Sequence, residues 1–174
     1  MVKIIFLDRD GVINKCAKEH EYITRWENFE FLENVPEAIK LLNHAEYKIV
    51  VISNQRGIAR GVMTKDEVDE LHKRVNEYLN KKDANIDFFL YCPHEIGECN
   101  CRKPDIGLFL EAERLFDIDK SHSYMIGDSE SDIIAGHDFG VKTVFIGDHN
   151  SSADICCNSL YEAVQIILAG RRYV

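Results

Sequence analysis

Asp8-Arg9-Asp10-Gly11 closes a short apolar run and sets two carboxylates one residue apart. If the extended geometry persists, Asp8 and Asp10 point one way and Arg9 the other, away from the site and toward partners elsewhere. A carboxylate can attack phosphorus directly. A second carboxyl, held protonated, can protonate the leaving alkoxide and later activate water. Asp128 opens Asp128-Ser129-Glu130-Ser131-Asp132 after another apolar run. Carboxylates that face one crevice repel, so a cation is expected between Asp8, Asp10 and Asp128. An oxygen-only set suits Mg²⁺, which takes one or two carboxylates plus substrate phosphate and keeps several waters. Lys103 would offset the charge, and the Ser53 hydroxyl with nearby backbone N–H groups would hold phosphate oxygens. A lone Asp-x-Asp-Gly reads equally well as a solvated turn. Three strand ends and a lysine in this order do not.

A second constellation lies between these motifs. Cys92-Pro93-His94-Glu95-Ile96-Gly97-Glu98-Cys99-Asn100-Cys101 offers three thiols and an imidazole within ten residues. Zn²⁺ accepts that set in a closed tetrahedral site with no open position, which makes its role structural. Arg102 and Lys103 follow the last ligand directly, so the zinc would position the lysine. Burial of free thiols is the competing explanation, but such density in a loop speaks against it. Cys16, Cys156 and Cys157 lie apart and are assigned to packing. His20, His44, His72, His122, His137 and His149 lack ligand-like spacing and are assigned to surface or core.

The elements that must position these residues alternate. Lys3 to Leu7, Lys48 to Ser53, Ile86 to Tyr91, Ser123 to Ile126 and Val141 to Ile146 are apolar throughout, as buried parallel strands are. Between them, residues 35–45 carry Val35, Ala38, Ile39, Leu41, Leu42 and Ala45 at helical spacing, with Pro36 in the first turn. Thr64 with Glu67 forms a capping box for a helix to about Lys81. Further helices are expected over Ile106 to Phe116, over Glu130 to Phe139 with Gly140 beyond, and over Leu160 to Leu168. The pattern is a doubly wound α/β fold with a parallel sheet covered on both faces, one domain over residues 1–174. Residues 14–34 and 92–104 are the longest non-periodic stretches and are candidate functional loops. Ligands in such sheets bind beyond the C-terminal strand ends, where the motifs above fall.

Composition narrows the partners. The chain has 174 residues, is 45% hydrophobic and 29% charged, and carries a net charge of −9. That charge disfavours nucleic acid, whose non-specific binding rests on lysine and arginine. No apolar run approaches the roughly 20 residues of a membrane span. The first residues form too short an apolar stretch for a signal peptide. A cytoplasmic protein acting on a small phosphorylated molecule is expected, with a monomer as the simplest oligomeric state. Arg56, Arg60, Arg102 and Lys103 fall in loops that should surround the crevice. Guanidinium forks suit phosphate. Arg102 is the first choice for a second anion site, and solvated loop charge is the other explanation for Arg56 and Arg60.

Asp8-Arg9-Asp10-Gly11-Val12-Ile13, Ser53, Lys103 and Gly127-Asp128 through Asp132 together resemble the four ordered motifs of the haloacid dehalogenase-like phosphatases, over about residues 3–147. The resemblance implies a Rossmann-like fold, Asp8 as nucleophile and Asp10 as general acid/base. It also implies Mg²⁺ on the Asp8 and Asp128 carboxylates and the Asp10 backbone carbonyl, with Ser53 and Lys103 on the phosphoryl group. Asp132 would stand behind the metal or on the helix surface. The cysteine loop resembles the zinc loop of two small groups without a large cap domain. One acts on D-glycero-D-manno-heptose 1,7-bisphosphate, and the other comprises the histidinol-phosphate phosphatases. Asn54-Gln55-Arg56-Gly57-Ile58-Ala59-Arg60-Gly61 is similar to the heptose group's Asn-Gln-Ser-Gly-Ile-Ala-Arg-Gly and implies substrate contacts from Asn54 and Arg56. Tyr22-Ile23 and Phe29-Glu30-Phe31 resemble that group's first substrate loop. Glu21, Arg56 and Ser129 depart from the pattern, and Ser129 removes a positive charge that Arg56 could replace.

The resemblance implies hydrolysis of the heptose bisphosphate to the heptose 1-phosphate. Histidinol phosphate, phosphoryl transfer to another sugar, nucleic-acid end processing and an inactive zinc-stabilised binding module are the alternatives.

Overall fold

A computed structural model describes residues 1–18, 21–150 and 152–170; His20 lies outside them. The strands are β1 (Ile4–Leu7), β2 (Lys48–Asn54), β3 (Phe88–Cys92), β4 (Tyr124–Gly127), β5 (Lys142–Ile146) and β6 (Ile155–Cys157). They form one sheet in the order β3-β2-β1-β4-β5-β6, and each neighbouring pair is parallel. The helices are α1 (Val35–His44), α2 (Lys65–Asn80), α3 (Gly107–Leu115), α4 (Glu130–Phe139) and α5 (Leu160–Gly170).

Strand alternation splits the core. Ile5 and Leu7 of β1 face a layer containing Ala38, Ile39 and Leu42 of α1, Leu71, Val75 and Leu79 of α2, and Ala163, Val164 and Ile167 of α5. Ile4 and Phe6 face Leu108, Phe109 and Ala112 of α3 and Ala135 and Phe139 of α4. Phe6 lies 4.8 Å from Phe109 and 5.8 Å from Phe139, ring centre to ring centre. Burying apolar faces on both sides fixes the helices to the sheet and leaves the loops free for chemistry.

The expected elements are present with ends moved by at most two residues, and β6 is an addition. The Thr64 capping box forms: Glu67 N donates to Thr64 Oγ1 at 3.2 Å, and Thr64 N donates to Glu67 Oε2 at 2.8 Å. Gly140 ends α4 in the left-handed conformation. The loop after β1 returns on itself, with Leu32 N donating to Ile13 O at 3.0 Å. It is anchored on α2 by stacking of Phe31 on Tyr78 at 4.9 Å and by Trp26 against the same tyrosine at 5.8 Å. No helix among the described residues is long and apolar enough to cross a membrane.

The chain leaves β1 for β2 on one side and reaches β4 on the other. This reversal opens a crevice beyond the C-terminal end of β1, between those of β2 and β4.

Candidate active site

Asp8 follows the last residue of β1, and its backbone N–H donates to Ile126 O on β4 at 3.0 Å. Lys103 reaches the same place from the loop before α3. The residue is 3% exposed, and Nζ lies 2.7 Å from Asp8 Oδ1, 2.5 Å from Asp132 Oδ1 and 2.7 Å from Ile52 O. Asn54, at the end of β2, holds the lysine's backbone from both sides. Its Nδ2 donates to Lys103 O at 3.1 Å, and its Oδ1 accepts from Lys103 N at 3.0 Å. Both ends of that amide are therefore engaged within the protein, and Asn54 positions Lys103 rather than presenting a free group to a ligand.

Asp8, Asp128 and Asp132 each bring a carboxylate oxygen within 4.8 Å of the others. Gly11 permits this closeness. It sits at φ +93°, and a Cβ there would fall 1.9 Å from Asp128 Oδ2. Burial, against the pull of Lys103, and the Asp132 and Asp128 charges push Asp8 up to about 7. Burial and Asp132 push Asp128 up to about 6. Burial works against the charge on Lys103, but Asp8 and Asp132 outweigh it and raise its pKa above the usual range. Three carboxylates sharing one ammonium are short of positive charge, and a divalent cation fits that donor set.

Asp132 is fully buried, not on the helix surface. Its Oδ2 accepts from Ser129 N at 3.1 Å and from Ser129 Oγ at 2.7 Å. Ser129, where the family pattern has a base, thus caps α4 and fixes the acid that pairs with Lys103.

The Asp10 carboxylate lies apart from the other three. Arg9 Nη2 contacts it at 3.0–3.1 Å, Asn14 Nδ2 donates to it at 2.9 Å, and Gln55 Nε2 donates at 3.2 Å. Burial opposes its ionisation, yet Arg9 and these hydrogen bonds hold its carboxyl below the ordinary range. Arg9 therefore corrects the expectation that it pairs elsewhere. The side chain leaves β1 on the far side, but it is 1% exposed and long enough to turn back beneath Asp10. Ser53 is buried, and its Oγ accepts from Gln55 Nε2 at 3.2 Å.

The arginines of the outer loops are less uniform. Arg56 Nη1 lies 3.4 Å and Arg60 Nε 2.9 Å from opposite oxygens of Glu95. Arg56 thus balances an acid of the cysteine loop. Arg102 is half-buried, and its Nη1 has no hydrogen-bond partner among the described residues. A cavity of about 560 Å³ is walled by the loop after β1, including Lys15, Cys16, Lys18 and Tyr22. Burial first, then the charges of Asp128, Asp10 and Asp8, push up the pKa of Cys16 in its wall. A separate cavity of about 490 Å³ near Tyr47, Lys48 and Asp83 contains none of these residues.

In the cysteine loop, Cys92 Sγ lies 3.6 Å from His94 Nδ1 and 3.4 Å from Cys99 Sγ, and Cys101 Sγ lies 3.3 Å from each of the latter two atoms. One tetrahedral metal ion fits three sulfurs and a nitrogen gathered so tightly. Gly107 at the start of α3 lets the loop pack there, since a Cβ would fall 2.4 Å from Asn100 O. Spacing and strand-end position point to these four side chains and to Asp8, Asp128 and Lys103. Asn14 and His72 were not singled out. His72 lies on the buried face of α2 with Val68, Leu71 and Val75, and a polar residue on that face was the available signal.

The match to known proteins agrees with the geometry. Residues 3–157 match the family model described as polynucleotide kinase 3 phosphatase. The chain is 34% identical to the D-glycero-beta-D-manno-heptose-1,7-bisphosphate 7-phosphatase of Haemophilus ducreyi, covering 95% of this chain and 98% of that protein. It is 35% identical to the protein of the same description from Escherichia coli strain K12, over 95% and 94% respectively. The solved D,D-heptose 1,7-bisphosphate phosphatase of B. bronchiseptica, complexed with magnesium and phosphate, superposes with a TM-score of 0.88 at 25% identity, covering 97% of this chain and 99% of that one.

A parallel sheet with this strand order, carrying an acid at the end of β1, a buried lysine and an acid pair after β4, is that of the haloacid dehalogenase-like phosphatases. Within that class the chain belongs to the family of the D,D-heptose 1,7-bisphosphate phosphatases.

Proposed function

We propose that the chain hydrolyses the 7-phosphate of D-glycero-D-manno-heptose 1,7-bisphosphate through a phospho-aspartate on Asp8. The observation that carries this reading is the Asp8 carboxylate, held 2.7 Å from Lys103 Nζ beside Asp128 and Asp132. The choice of sugar is supported by near full-length likeness to relatives of that description. An Asp8 oxygen attacks phosphorus, the bond from phosphorus to the sugar oxygen breaks, and the leaving oxygen takes a proton from Asp10. Asp10 then takes a proton from water, whose oxygen attacks the same phosphorus and breaks the bond to Asp8. At rest Arg9 favours the ionised form of Asp10, and a dianionic phosphoryl group arriving beside it favours the protonated form.

Lys103 and Ser53 hold the phosphoryl oxygens, and Arg102 is the first choice for the second phosphate. Magnesium, on the Asp8 and Asp128 carboxylates with the Asp10 backbone carbonyl, would supply positive charge for the ionised nucleophile and the phosphoryl oxygens. Cys92, His94, Cys99 and Cys101 would hold a structural zinc that fixes the loop leading into Lys103.

The test is phosphate release by the purified protein, with magnesium, from both anomers of the heptose bisphosphate, histidinol phosphate and a 3′-phosphorylated oligonucleotide. The last arm answers the description of the matching family model. The highest kcat/KM is expected on a heptose bisphosphate, with heptose 1-phosphate as product. Faster cleavage of histidinol phosphate or of the oligonucleotide overturns the substrate assigned.

A further inference from the structure

Beneath Asp10, Arg9 meets a buried side chain that the proposed chemistry does not use. Arg9 Nη1 lies 3.3 Å from His72 Nε2 on α2. His72 is 4% exposed; its ring stacks on Phe89 at 4.4 Å and meets Tyr91 edge-on at 5.6 Å. A guanidinium has donors only, so the Nε2 of His72 must accept, and the imidazole is neutral with its proton on Nδ1. Burial, with the Arg9 charge behind it, supports this by pushing the His72 pKa down to about 3. Arg9 Nε and His72 Nδ1 have no partner among the described residues. Such a contact is costly to form, since it leaves buried donors unmet. Its return is the orientation of one fork. Nη2 of the same guanidinium meets both Asp10 oxygens and lies 3.5 Å from Ile23 O in the loop after β1.

We infer that His72 is a positioning residue for the acid/base step: it holds the Arg9 fork, and the fork fixes the Asp10 carboxylate and the loop at Ile23. The inference rests on the reading of Asp10 given above. It assigns a role in the reaction to a helix side chain outside the crevice. Losing the acceptor lets the guanidinium turn, and Asp10 loses the donor that spans both its oxygens. Binding of the phosphoryl group to Lys103 and Ser53 does not depend on that donor. The effect therefore falls on proton transfer to the leaving oxygen.

Leaving-group chemistry separates this role from plain packing. An alkyl phosphate needs a proton on its leaving oxygen, whereas 4-nitrophenyl phosphate releases a weakly basic phenolate and needs little help. The ratio kcat/KM reports formation of the phospho-aspartate, the step in which the leaving group departs. His72→Leu removes the acceptor. His72→Gln places an amide oxygen near the position of Nε2, and His72→Asn places it near Nδ1, so the latter two separate the roles even where the leucine variant fails to fold. Asp10→Asn is the reference.

His72→Asn and His72→Leu are expected to lose about tenfold or more in kcat/KM on the heptose bisphosphate, a part of the roughly 10²–10⁴-fold that general acid–base catalysis contributes. On 4-nitrophenyl phosphate they are expected to stay close to the wild-type value, and His72→Gln should recover most of the loss on the sugar. Equal losses on both substrates, a glutamine variant no better than the asparagine variant, or folded variants at wild-type rates overturn the inference. If Asp10→Asn itself shows no bias toward the alkyl substrate, the acid/base reading of Asp10 fails, and the inference falls with it.

Discussion

The carboxylate centre and the cysteine loop are joined through Lys103 and are built on opposite principles. Asp8, Asp128 and Asp132 sit at strand ends or in the first turn of α4, and a lysine with 3% exposure ties two of them together. The sheet and helices hold these groups before any ligand arrives. The loop from Cys92 to Cys101 has its first thiol buried at the end of β3, an exposed His94 and two half-buried thiols, with no helix or strand between them. With the proposed zinc in place, the ion would hold the shape of such a loop, and metal binding would be part of its folding free energy. The two meet at Lys103, whose backbone lies two residues after Cys101 and whose ammonium belongs to the carboxylates. In the proposed reading, the fold preorganises the chemistry and a metal would preorganise the approach to it.

Substitutions should divide along the same line. The largest effect is expected from Asp8→Asn, which removes the proposed nucleophile and should abolish turnover while the circular dichroism spectrum is unchanged; wild-type turnover would exclude Asp8 as the attacking group. Lys103→Met comes next. It leaves the buried Asp8 and Asp132 without their shared cation, and breaking a buried pair this way costs about 3–5 kcal/mol. Urea denaturation in magnesium-free buffer measures it. A loss under about 1 kcal/mol, typical of an exposed pair, would mean that the sheet alone holds the centre.

The loop should fail locally. Metal analysis should find about one zinc per chain. Cys101→Ser is expected to lose it, to open the segment from Pro93 to Asn100 to proteolysis and to leave the sheet folded. Activity should fall because Lys103 and the Glu95 partners Arg56 and Arg60 lose their support. A metal-free preparation whose loop resists protease as the wild type does would refute the structural zinc.

The sequence carried the two regions unequally. Strands β1 to β5 announce themselves as apolar runs, and the motifs at their ends follow from the sheet. β6 covers only Ile155–Cys157 with a single buried residue, too short for either period to show. The cysteine loop could be read because its candidate ligands are close together in the chain. The surroundings of Asp10 could not, because Arg9, Asn14, Gln55 and His72 come from three separate segments. Alternation gave the direction in which Arg9 leaves the strand, but its length lets the charge return to the carboxylate. Asp132 had a readable signal: Ser129-x-x-Asp132 ahead of an apolar helix is a cap, and a capping acid faces inward here because Lys103 meets it.

The smallest effect expected concerns acid, and it separates the two regions by pH. His72 has a native pKa of about 3 against an ordinary value of 6.5. Between those values the unfolded chain binds a proton at His72 that the native chain does not. Stability from this group is therefore complete above about pH 6.5 and is lost as the pH falls toward 3, with a slope of up to about 1.4 kcal/mol per pH unit. His72→Gln has nothing to titrate there, so its stability should fall less steeply below pH 6.5, even if the two proteins differ by a constant above it. Urea denaturation at steps from pH 5 to 8 reads the difference. Acid also releases metal from thiolates, but that loss belongs to the cysteine loop and occurs alike in both proteins, so it cancels in the comparison. Parallel curves would mean that the native His72 takes up its proton at the same pH as the unfolded chain, so that below about pH 6.5 its ring is protonated. A protonated ring has no acceptor for Arg9, and the support beneath Asp10 would have to come from Asn14 and Gln55 alone.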